Sequence, residues 1–312
     1  MEIKSPDFFI VGAPRCGTTA LYSYLRQHPD VFLPEYKEPH YFNTDMKSGG
    51  AIRDQEKYLA LFATAKDKQR VGEASVYYLS SQIAPRAIKD FCPTAKIIIM
   101  LRNPVEVMYA LHAHHLAAWI EDVWDFETAL SLEADRKLGR RLPRGNNDPH
   151  KLFYRQTARF AQHVRNYRDV FGTENVHVII YDDFQRDSAQ AFRQTCSFLG
   201  VNPDLSIDFP VVWSNPSFRS PTLAKLLQHP PRFARAAGRI LLPRRLRSRL
   251  VGTLWTWNSV RAPRPPLTVD VRKRLTAQLA PEVEELSALL GRDLSHWSVI
   301  PSSAVSGPAK AA

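Results

Sequence analysis

A glycine-containing turn between an apolar run and a helix-like stretch is the feature that most constrains this fold. The stretch reads FFIVGAPRCGTTAL over residues 8–21, with Gly12 and Gly17 five residues apart. It is close to the phosphate-binding pattern GxxxxGK[ST], but Thr18 stands where that pattern has lysine. The positive charge lies inside the turn instead, at Arg15. A strand that leads through such a turn into a helix predicts an α/β fold, in which the start of the helix can bind an anion. A plain turn with an exposed arginine is the alternative.

Further apolar runs alternate with helix-like stretches along the chain. KIIIML, residues 96–101, is typical of a buried strand, and NVHVIIY, residues 175–181, predicts another. Helical patterns follow both runs, and further patterns predict helices over residues 152–171 and 188–199, the latter ending at Gly200. Residues 223–250 can form basic amphipathic helices interrupted by prolines. Uninterrupted apolar strands that alternate with helices are typical of parallel sheets covered on both faces. We therefore predict the α/β class, with a central, mostly parallel sheet flanked by helices.

The length and composition predict a globular protein with one large domain or two small ones. The chain has 312 residues, of which 44% are hydrophobic. We predict one domain over residues 1–300, with a basic variable insertion at 219–266, and a disordered tail at 301–312. The sequence has no apolar run of roughly eighteen residues and no secretory pattern at its start, so we expect no transmembrane helix. Three widely spaced cysteines argue against disulfides and zinc and suggest a reducing, cytoplasmic location.

Positive charge is concentrated late in the chain. The formal net charge is +11, and residues 219–274 contain fourteen Lys or Arg and one acid, Asp270. Such a segment favours an anionic partner, namely a nucleotide, an acidic glycan, a lipid headgroup or a nucleic acid. A solvated basic surface without a partner is the alternative. Peripheral contact with an anionic membrane through residues 219–274 is one interpretation, and we do not expect a nucleic-acid partner.

A second candidate for binding an anion follows the strand predicted at residues 96–101. Arg102 comes directly after this strand, and Pro104 suits the first turn of the next helix. Ligands of open α/β sheets bind at the carboxyl ends of the strands, so Arg102 is expected to face the same crevice as Arg15. A guanidinium there can bind a phosphate through two hydrogen bonds. A surface arginine at a strand end is the alternative.

A third candidate is the irregular stretch EYKEPHYFN, residues 35–43. Glu38 and His40 are two residues apart, so both side chains point the same way if the backbone is extended. A carboxylate or imidazole there can accept a proton from an attacking hydroxyl or amine. A solvated surface glutamate is the alternative.

The sequence HAHH, residues 112–115, raises the question of a metal site. Histidines three residues apart on a helix can share a metal ion. No matching carboxylate or cysteine pair stands out nearby. We therefore interpret His112 and His115 as packed or solvated side chains and expect no metal.

Together these stretches resemble the sulfotransferases that use 3′-phosphoadenosine-5′-phosphosulfate (PAPS), in particular the bacterial members and the heparan-sulfate and Golgi branch. GAPRCGTTALYSYL matches the family's 5′-phosphosulfate loop, LRNPVEVMYALH its 3′-phosphate motif, and KEPHYF the segment with the catalytic base. The resemblance spans about residues 7–297. It implies a P-loop-like three-layer fold, PAPS as the donor and no metal. The implied reaction is sulfuryl transfer to a hydroxyl or amine of a carbohydrate, a glycolipid or a small metabolite.

The resemblance also implies roles for individual residues. Arg15 would stabilise the leaving phosphate, Glu38 would be the general base, and His40 would assist or replace it. The implied donor-binding residues are Arg15, Cys16, Gly17, Thr18, Thr19, Arg102 and Arg219. Two positions depart from the family pattern. Ala110 stands where the 3′-phosphate motif usually has serine, and the late basic loop around Arg219 lacks the usual Lys-Gly-Arg form.

Two other functions are compatible with the sequence. A P-loop nucleotide kinase with a variant loop would need Mg²⁺ and a carboxylate at a strand end, for which Asp182 and Asp183 are candidates. Stimulation of turnover by Mg²⁺-ATP would favour this kinase. A non-catalytic protein would instead bind nucleic acid or an anionic membrane through residues 219–274. Strongly salt-dependent binding to DNA or liposomes, without binding of PAPS, would favour that function.

Overall fold

A computed structural model describes residues 4–67, 69–143, 148–210, 216–228, 231, 244–261 and 266–299. The tail predicted at residues 301–312 and part of the insertion predicted at residues 219–266 lie outside the described residues. The proposed domain bounds therefore stay a prediction. Within the described ranges, no helix combines the length and the apolar character that crossing a bilayer requires.

The centre of the protein is a five-stranded parallel sheet, as the sequence predicts. Its strands are β1 (Phe8–Gly12), β2 (Val31–Phe32), β3 (Arg70–Ala74), β4 (Lys96–Leu101) and β5 (Val176–Ile180). They lie in the order β2-β3-β1-β4-β5, and every neighbouring pair is parallel. All five residues of β1 are buried because the strand is in the middle of the sheet and is covered on both faces. The strands β6 (Pro216–Phe218) and β7 (Ser259–Arg261) form a separate antiparallel pair.

The segments that connect the strands form helices, and these helices flank the sheet. They are α1 (Thr18–Leu25), α2 (Gln55–Ala60), α3 (Ala84–Phe91), α4 (Pro104–Ala117), α5 (Phe126–Ser131), α6 (Glu133–Lys137), α7 (Tyr154–Thr157), α8 (Phe160–Phe171), α9 (Tyr181–Arg186), α10 (Ser188–Leu199), α11 (Pro221–Gln228), α12 (Arg244–Asn258) and α13 (Val269–Leu290). The main core joins the sheet to α1, α3, α8, α10 and α13. The prediction of an α/β fold with a central, mostly parallel sheet is confirmed.

A second, smaller core explains why one predicted helix is broken. The pattern over residues 152–171 predicts a continuous helix, but the chain forms α7 and α8 with a break at Ala158 and Arg159. Tyr154 packs into the second core with residues of α4, α5 and α13, whereas Phe160 packs into the main core. The break lets the chain bury both aromatic rings, each in a different core.

The loops that follow β1, β3 and β4 meet at the carboxyl edge of the sheet. The amide of Ala13 donates to the carbonyl of Met100 at 2.7 Å, and the amide of Leu79 donates to the carbonyl of Val11 at 2.8 Å. The amide of Ser75 donates to the carbonyl of Ile10 at 3.2 Å. This edge is where ligands of open α/β sheets bind.

Candidate functional site

Neighbouring side chains approach the backbone so closely at Gly12 and Gly17 that both positions favour glycine. Gly12 has φ +151°, and a Cβ on it would lie 2.7 Å from the Cβ of Leu79. Gly17 has φ +89°, and a Cβ on it would lie 3.1 Å from the ring of Tyr181. Gly17 is the N-cap of α1 and has no side chain that could bond to the first amides of the helix. The positive end of α1 therefore opens onto the carboxyl edge of the sheet.

Arg15 and Arg102 lie within electrostatic range of each other. Burial lowers the pKa of Arg15, and the positive charge of Arg102 lowers it further. Such a shift means that the two guanidinium groups repel each other across a partly desolvated space. A bound anion would relieve this repulsion, which makes the carboxyl edge of the sheet a candidate anion site.

Arg102 is held against the same tyrosine that contacts the turn. Its guanidinium carbon lies 4.8 Å from the ring centroid of Tyr181. Its Nη2 is also 3.8 Å from an oxygen of Glu106, whose other oxygen is 2.6 Å from Arg272 on α13. Sequence reasoning missed Arg272, because only the fold brings the late basic segment to the start of α4. Ala110 is buried in the same helix.

The other residues predicted in the turn differ in their exposure. Cys16 is fully buried in the main core, and its thiol donates to the carbonyl of Pro14 at 3.6 Å. Burial raises the pKa of Cys16 to about 12, so this residue is not a thiolate nucleophile near neutral pH. Thr18 is buried and Thr19 is exposed. Any contact between Cys16 and an anion therefore runs through the backbone amide.

Glu38 and His40 lie side by side, but not in the extended backbone that the sequence suggests. Their φ angles are +65° and +52°, so the condition of an extended backbone is not met, although the two side chains still meet. The amide of Glu38 donates to the carbonyl of Ala74 at 3.0 Å, and the amide of His40 donates to Oγ of Ser75 at 3.0 Å. These two hydrogen bonds fix the loop to the end of β3. They outweigh the preference of non-glycine residues for negative φ angles. Oε2 of Glu38 is 3.4 Å from Nε2 of His40.

The carboxylate of Glu38 is stabilised in its charged form. Burial alone would raise its pKa, but the hydrogen bond from His40 and the charge of Lys37 outweigh burial and lower the pKa to about 2. Nζ of Lys37 lies 2.8 Å from Oε1 of Glu38. Glu38 is therefore ionised at neutral pH. Sequence reasoning missed Lys37, because adjacent residues do not share a face in regular structure and only this bent loop brings them together.

The predicted catalytic residues share an uncommon backbone conformation. Within the described ranges, five non-glycine residues have positive φ, namely Arg15, Glu38, His40, Trp119 and Arg141. A left-handed backbone costs an L-residue about 1–3 kcal/mol and persists where the surroundings enforce it, often at functional sites. The sequence motifs alone indicate Arg15, Glu38 and His40 as site residues. The positive φ angles of these three residues are an independent observation.

His114 is a site residue that sequence reasoning did not select. Burial lowers its pKa to about 4, the charge of Arg15 lowers it, and the charge of Glu38 raises it. His114 on α4 is therefore within electrostatic range of both residues, and it is neutral at pH 7. Its two neighbours in HAHH are packed inside the protein. Nε2 of His112 lies 2.8 Å from the carbonyl of Val123, and Nε2 of His115 lies 3.0 Å from the hydroxyl of Tyr77. Across the described ranges, no three metal-binding side chains cluster.

An open cleft of about 690 Å³ lies next to the loop that carries His40, because Arg53 on its wall donates to the carbonyls of His40 and Tyr41. Nζ of Lys151, on the wall of the cleft, lies 5.5 Å from the ring centroid of Tyr77. Burial raises the pKa of Tyr77, and the charge of Glu38 raises it further. The cleft is lined by Thr44, Met46, Lys47, Trp119, Asp148 and Lys151, among others. A ligand in this cleft would meet two lysines and an indole ring.

The described contacts of Arg219 are with α12, where its amide donates to the carbonyl of Asn258 at 2.8 Å. Arg219 follows β6, is exposed, and its guanidinium carbon lies 5.4 Å from the ring centroid of Trp257. Its predicted place beside the nucleotide therefore stays a prediction.

The two carboxylates that a kinase would require bind other parts of the chain. Asp182 accepts from the indole Nε1 of Trp297 at 2.6 Å and pairs with His296 at 3.0 Å. Asp183 pairs with Arg186 at 2.8 Å and also with Arg292. Both residues thus attach α9 to the end of the described chain, and this geometry does not favour a magnesium site there.

Comparison with known proteins identifies the family. The family model described as "Sulfotransferase domain" matches residues 5–208, more than half of the chain. Human carbohydrate sulfotransferase 15 is 32% identical over 147 residues, which cover 34% of this chain and 26% of that protein. Mouse heparan sulfate glucosamine 3-O-sulfotransferase 6 is 38% identical over 102 residues, which cover 33% and 28% of the two chains. The chain thus spans less than half the length of these curated relatives.

A solved structure extends the similarity to nearly the whole chain. The crystal structure of a sulfotransferase from Alicyclobacillus acidocaldarius has a TM-score of 0.69 and 32% identity, and the match covers 95% of this chain and 99% of that one. This match supports the P-loop-like fold. The chain belongs to the sulfotransferase family and is a transferase enzyme.

Proposed function

We propose that this enzyme transfers a sulfuryl group from PAPS to a hydroxyl or amine of an acceptor. The observation that carries the proposal is the position of Arg15, Arg102 and Glu38 around one edge of the sheet. PAPS carries a phosphate at each end of its ribose, and the site has a separate arginine for each. Arg15 and the N-terminus of α1 would hold the 5′-phosphate, and Arg102 would hold the 3′-phosphate.

The residues of the site suit the charge changes of this reaction. When bound, PAPS supplies a sulfuryl group attached to a phosphate that can leave. Arg15 would stabilise the negative charge that develops on the leaving oxygen, in a partly buried position where such stabilisation is strong. Thr18, Thr19 and the amides of Cys16 and Gly17 would hold the phosphate in place. The turn contains no lysine, and the proposed reaction does not require one.

Glu38 would act as the general base. Its low pKa keeps the carboxylate charged and able to accept the acceptor's proton throughout the neutral range. His40, whose Nε2 is 3.4 Å away, would hold the carboxylate in position or take the proton in its place. The neutral His114 would face the reacting atoms from α4 without adding a competing charge.

A carbohydrate acceptor fits the cleft next to the loop that carries His40. Lys47 and Lys151 can bind hydroxyls or acidic groups, and Trp119 offers a ring on which a sugar can lie. The relatives named for carbohydrate and for heparan sulfate glucosamine support this choice of acceptor. A glycolipid or a small metabolite with the same groups would satisfy the same contacts.

A transfer assay with labelled PAPS tests the proposal. The wild-type enzyme should label one pool among mixtures of glycans, glycolipids and small metabolites, without Mg²⁺. Glu38→Gln should reduce transfer by about 10²–10⁴-fold, the usual contribution of a general base, while nucleotide binding is kept. Transfer of phosphate from Mg²⁺-ATP with no sulfuryl transfer would refute the proposal, and so would full activity of Glu38→Gln.

A further inference from the structure

Helix α12 presents an apolar stripe to solvent. Leu246, Leu250, Leu254 and Trp257 are exposed by 46%, 46%, 42% and 58%. They are separated by four, four and three residues, so they lie on one face of this 15-residue helix. Large apolar side chains scattered singly over a surface need no explanation, but a contiguous stripe indicates a binding surface.

The opposite face of α12 attaches the helix to the rest of the protein. The ring centroid of Trp255 lies 4.5 Å from that of Trp119, which lines the cleft, and 5.0 Å from that of Phe218. The buried Asn258 exchanges two hydrogen bonds with Ser220, each 2.8 Å long. The helix is therefore packed on one side and exposed on the other, and its packed side contacts the wall of the cleft through Trp119.

The charge around the stripe restricts what can cover it. The sequence of α12 contains four arginines and no acid, and residues 210–268 contain no Asp or Glu. Arg249 is exposed beside Leu250. A second copy of this face would bring like charges together. A nucleic acid would satisfy the arginines but would leave the leucines in water. An anionic lipid surface satisfies both, because its headgroups attract arginine and its acyl chains accept leucine and tryptophan.

We propose that α12 docks this enzyme on anionic membranes as an interfacial helix, with the stripe Leu246, Leu250, Leu254 and Trp257 buried among the lipids. The docked helix would hold the cleft close to the bilayer, since Trp255 contacts Trp119. This inference concerns membrane binding and does not depend on the proposed sulfuryl transfer.

Sedimentation of the full chain with vesicles tests the inference. The protein should bind vesicles of phosphatidylcholine and phosphatidylserine mixed two to one, and should bind vesicles of phosphatidylcholine alone much more weakly. Leu250→Gln with Leu254→Gln should reduce binding to the mixed vesicles more than tenfold, because two apolar side chains are no longer buried. Arg249→Gln should reduce it about fivefold, and raised salt should act in the same direction.

A matched variant controls for changes in the helix itself. Gly252→Gln with Thr256→Gln alters two exposed residues of α12 that lie away from the stripe, and should leave vesicle binding unchanged. Unchanged circular dichroism and melting temperature would establish that all variants fold. Three results would overturn the inference. These are equal loss of binding in both double variants, binding of a DNA duplex without binding of vesicles, and a dimer that Leu250→Gln with Leu254→Gln dissociates.

Discussion

At the scale of single residues, the state of Glu38 is set by its neighbours more than by its own chemistry. Lys37 lies 2.8 Å from one oxygen and His40 lies 3.4 Å from the other. Together they overcome the effect of burial and lower the pKa of Glu38 to about 2. The carboxylate is therefore charged at all physiological pH values, although its strength as a base is reduced.

Replacing Lys37 should move the acid limit of activity into a measurable range. In Lys37→Met, burial is opposed by His40 alone, so the pKa of Glu38 should rise. Because the proposed transfer needs the ionised carboxylate, the variant should lose activity as the pH falls from 7 to 5, whereas the wild-type enzyme should lose little over this range. Profiles of kcat/KM against pH measure this difference. Superimposable profiles would show that Lys37 does not control Glu38. The exposed Lys57→Met is the matched control.

The sequence predicts some of these residues and not others. Arg15, Arg102 and Glu38 could be selected because each belongs to a motif whose order along the chain is informative. Lys37 and His114 could not be selected, because their roles depend on a left-handed loop and on the approach of α4 to that loop. Tertiary hydrogen bonds to Ala74 and Ser75 determine this loop geometry, and local sequence does not encode them.

At the scale of elements, a buried ion pair attaches the loop after α4 to the second core. Arg136 and Glu121 are both fully buried and share two bonds of 2.7 and 2.8 Å. The hydroxyl of Tyr154 also donates to Glu121 at 2.9 Å. The carbonyl of Glu121 accepts from Gln228 at 2.6 Å, which connects this loop to α11.

Removing one partner of this pair should be costly. Arg136→Met leaves the charge of Glu121 buried without its partner, which typically reduces the free energy of unfolding by about 3–5 kcal/mol. Urea denaturation measures the loss. Arg136→Met with Glu121→Leu should recover part of it, because the unpaired charge is gone. The exposed pair of Arg86 and Asp90 provides the control, and Arg86→Met should leave the denaturation midpoint unchanged. A midpoint for Arg136→Met equal to that of the control would contradict this account.

The elements themselves could be predicted well where their burial is uniform. The strand over residues 96–101 and the helix over residues 188–199 match the sequence pattern, because each has an uninterrupted periodicity and a clear end. The break between α7 and α8 could not be predicted, because it reflects two cores that compete for Tyr154 and Phe160. The pattern over residues 223–250 indicates basic amphipathic helices, but it does not show which face of α12 stays exposed.

At the scale of the whole molecule, a buried carboxyl group should make stability depend on pH. Glu73 on β3 is fully buried and accepts from Tyr58, Ser75 and Tyr78. Burial raises its pKa to about 7, and the three hydrogen bonds offset only part of that effect. Because the folded pKa exceeds the unfolded value, this group stabilises the fold below about pH 4.5. That contribution is lost as the pH rises through about 7.

Replacing Glu73 should remove this dependence. From pH 4 to pH 8, the free energy of unfolding of Glu73→Gln should rise by about 3 kcal/mol relative to that of the wild type, because the pKa of Glu73 is about 7 in the folded state and 4.5 in the unfolded state. Buried histidines with lowered pKa values add to the stability of both proteins as the pH rises over part of the same range. The quantity to compare is therefore the difference in free energy of unfolding between Glu73→Gln and the wild type at each pH. Urea denaturation at both pH values provides it. A difference that does not change with pH would contradict this account, because it would mean that folding leaves the pKa of Glu73 unchanged.

The central claim is that two arginines at one edge of the sheet bind the two phosphates of one nucleotide. The most direct measurement is the melting temperature of the wild type and of Arg102→Gln with adenosine 3′,5′-bisphosphate and with AMP. A ligand that binds only the folded state raises the melting temperature in proportion to the logarithm of its affinity. The account predicts a much larger shift from the bisphosphate than from AMP in the wild type, and equal shifts in Arg102→Gln. Equal shifts from both nucleotides in the wild type would contradict it.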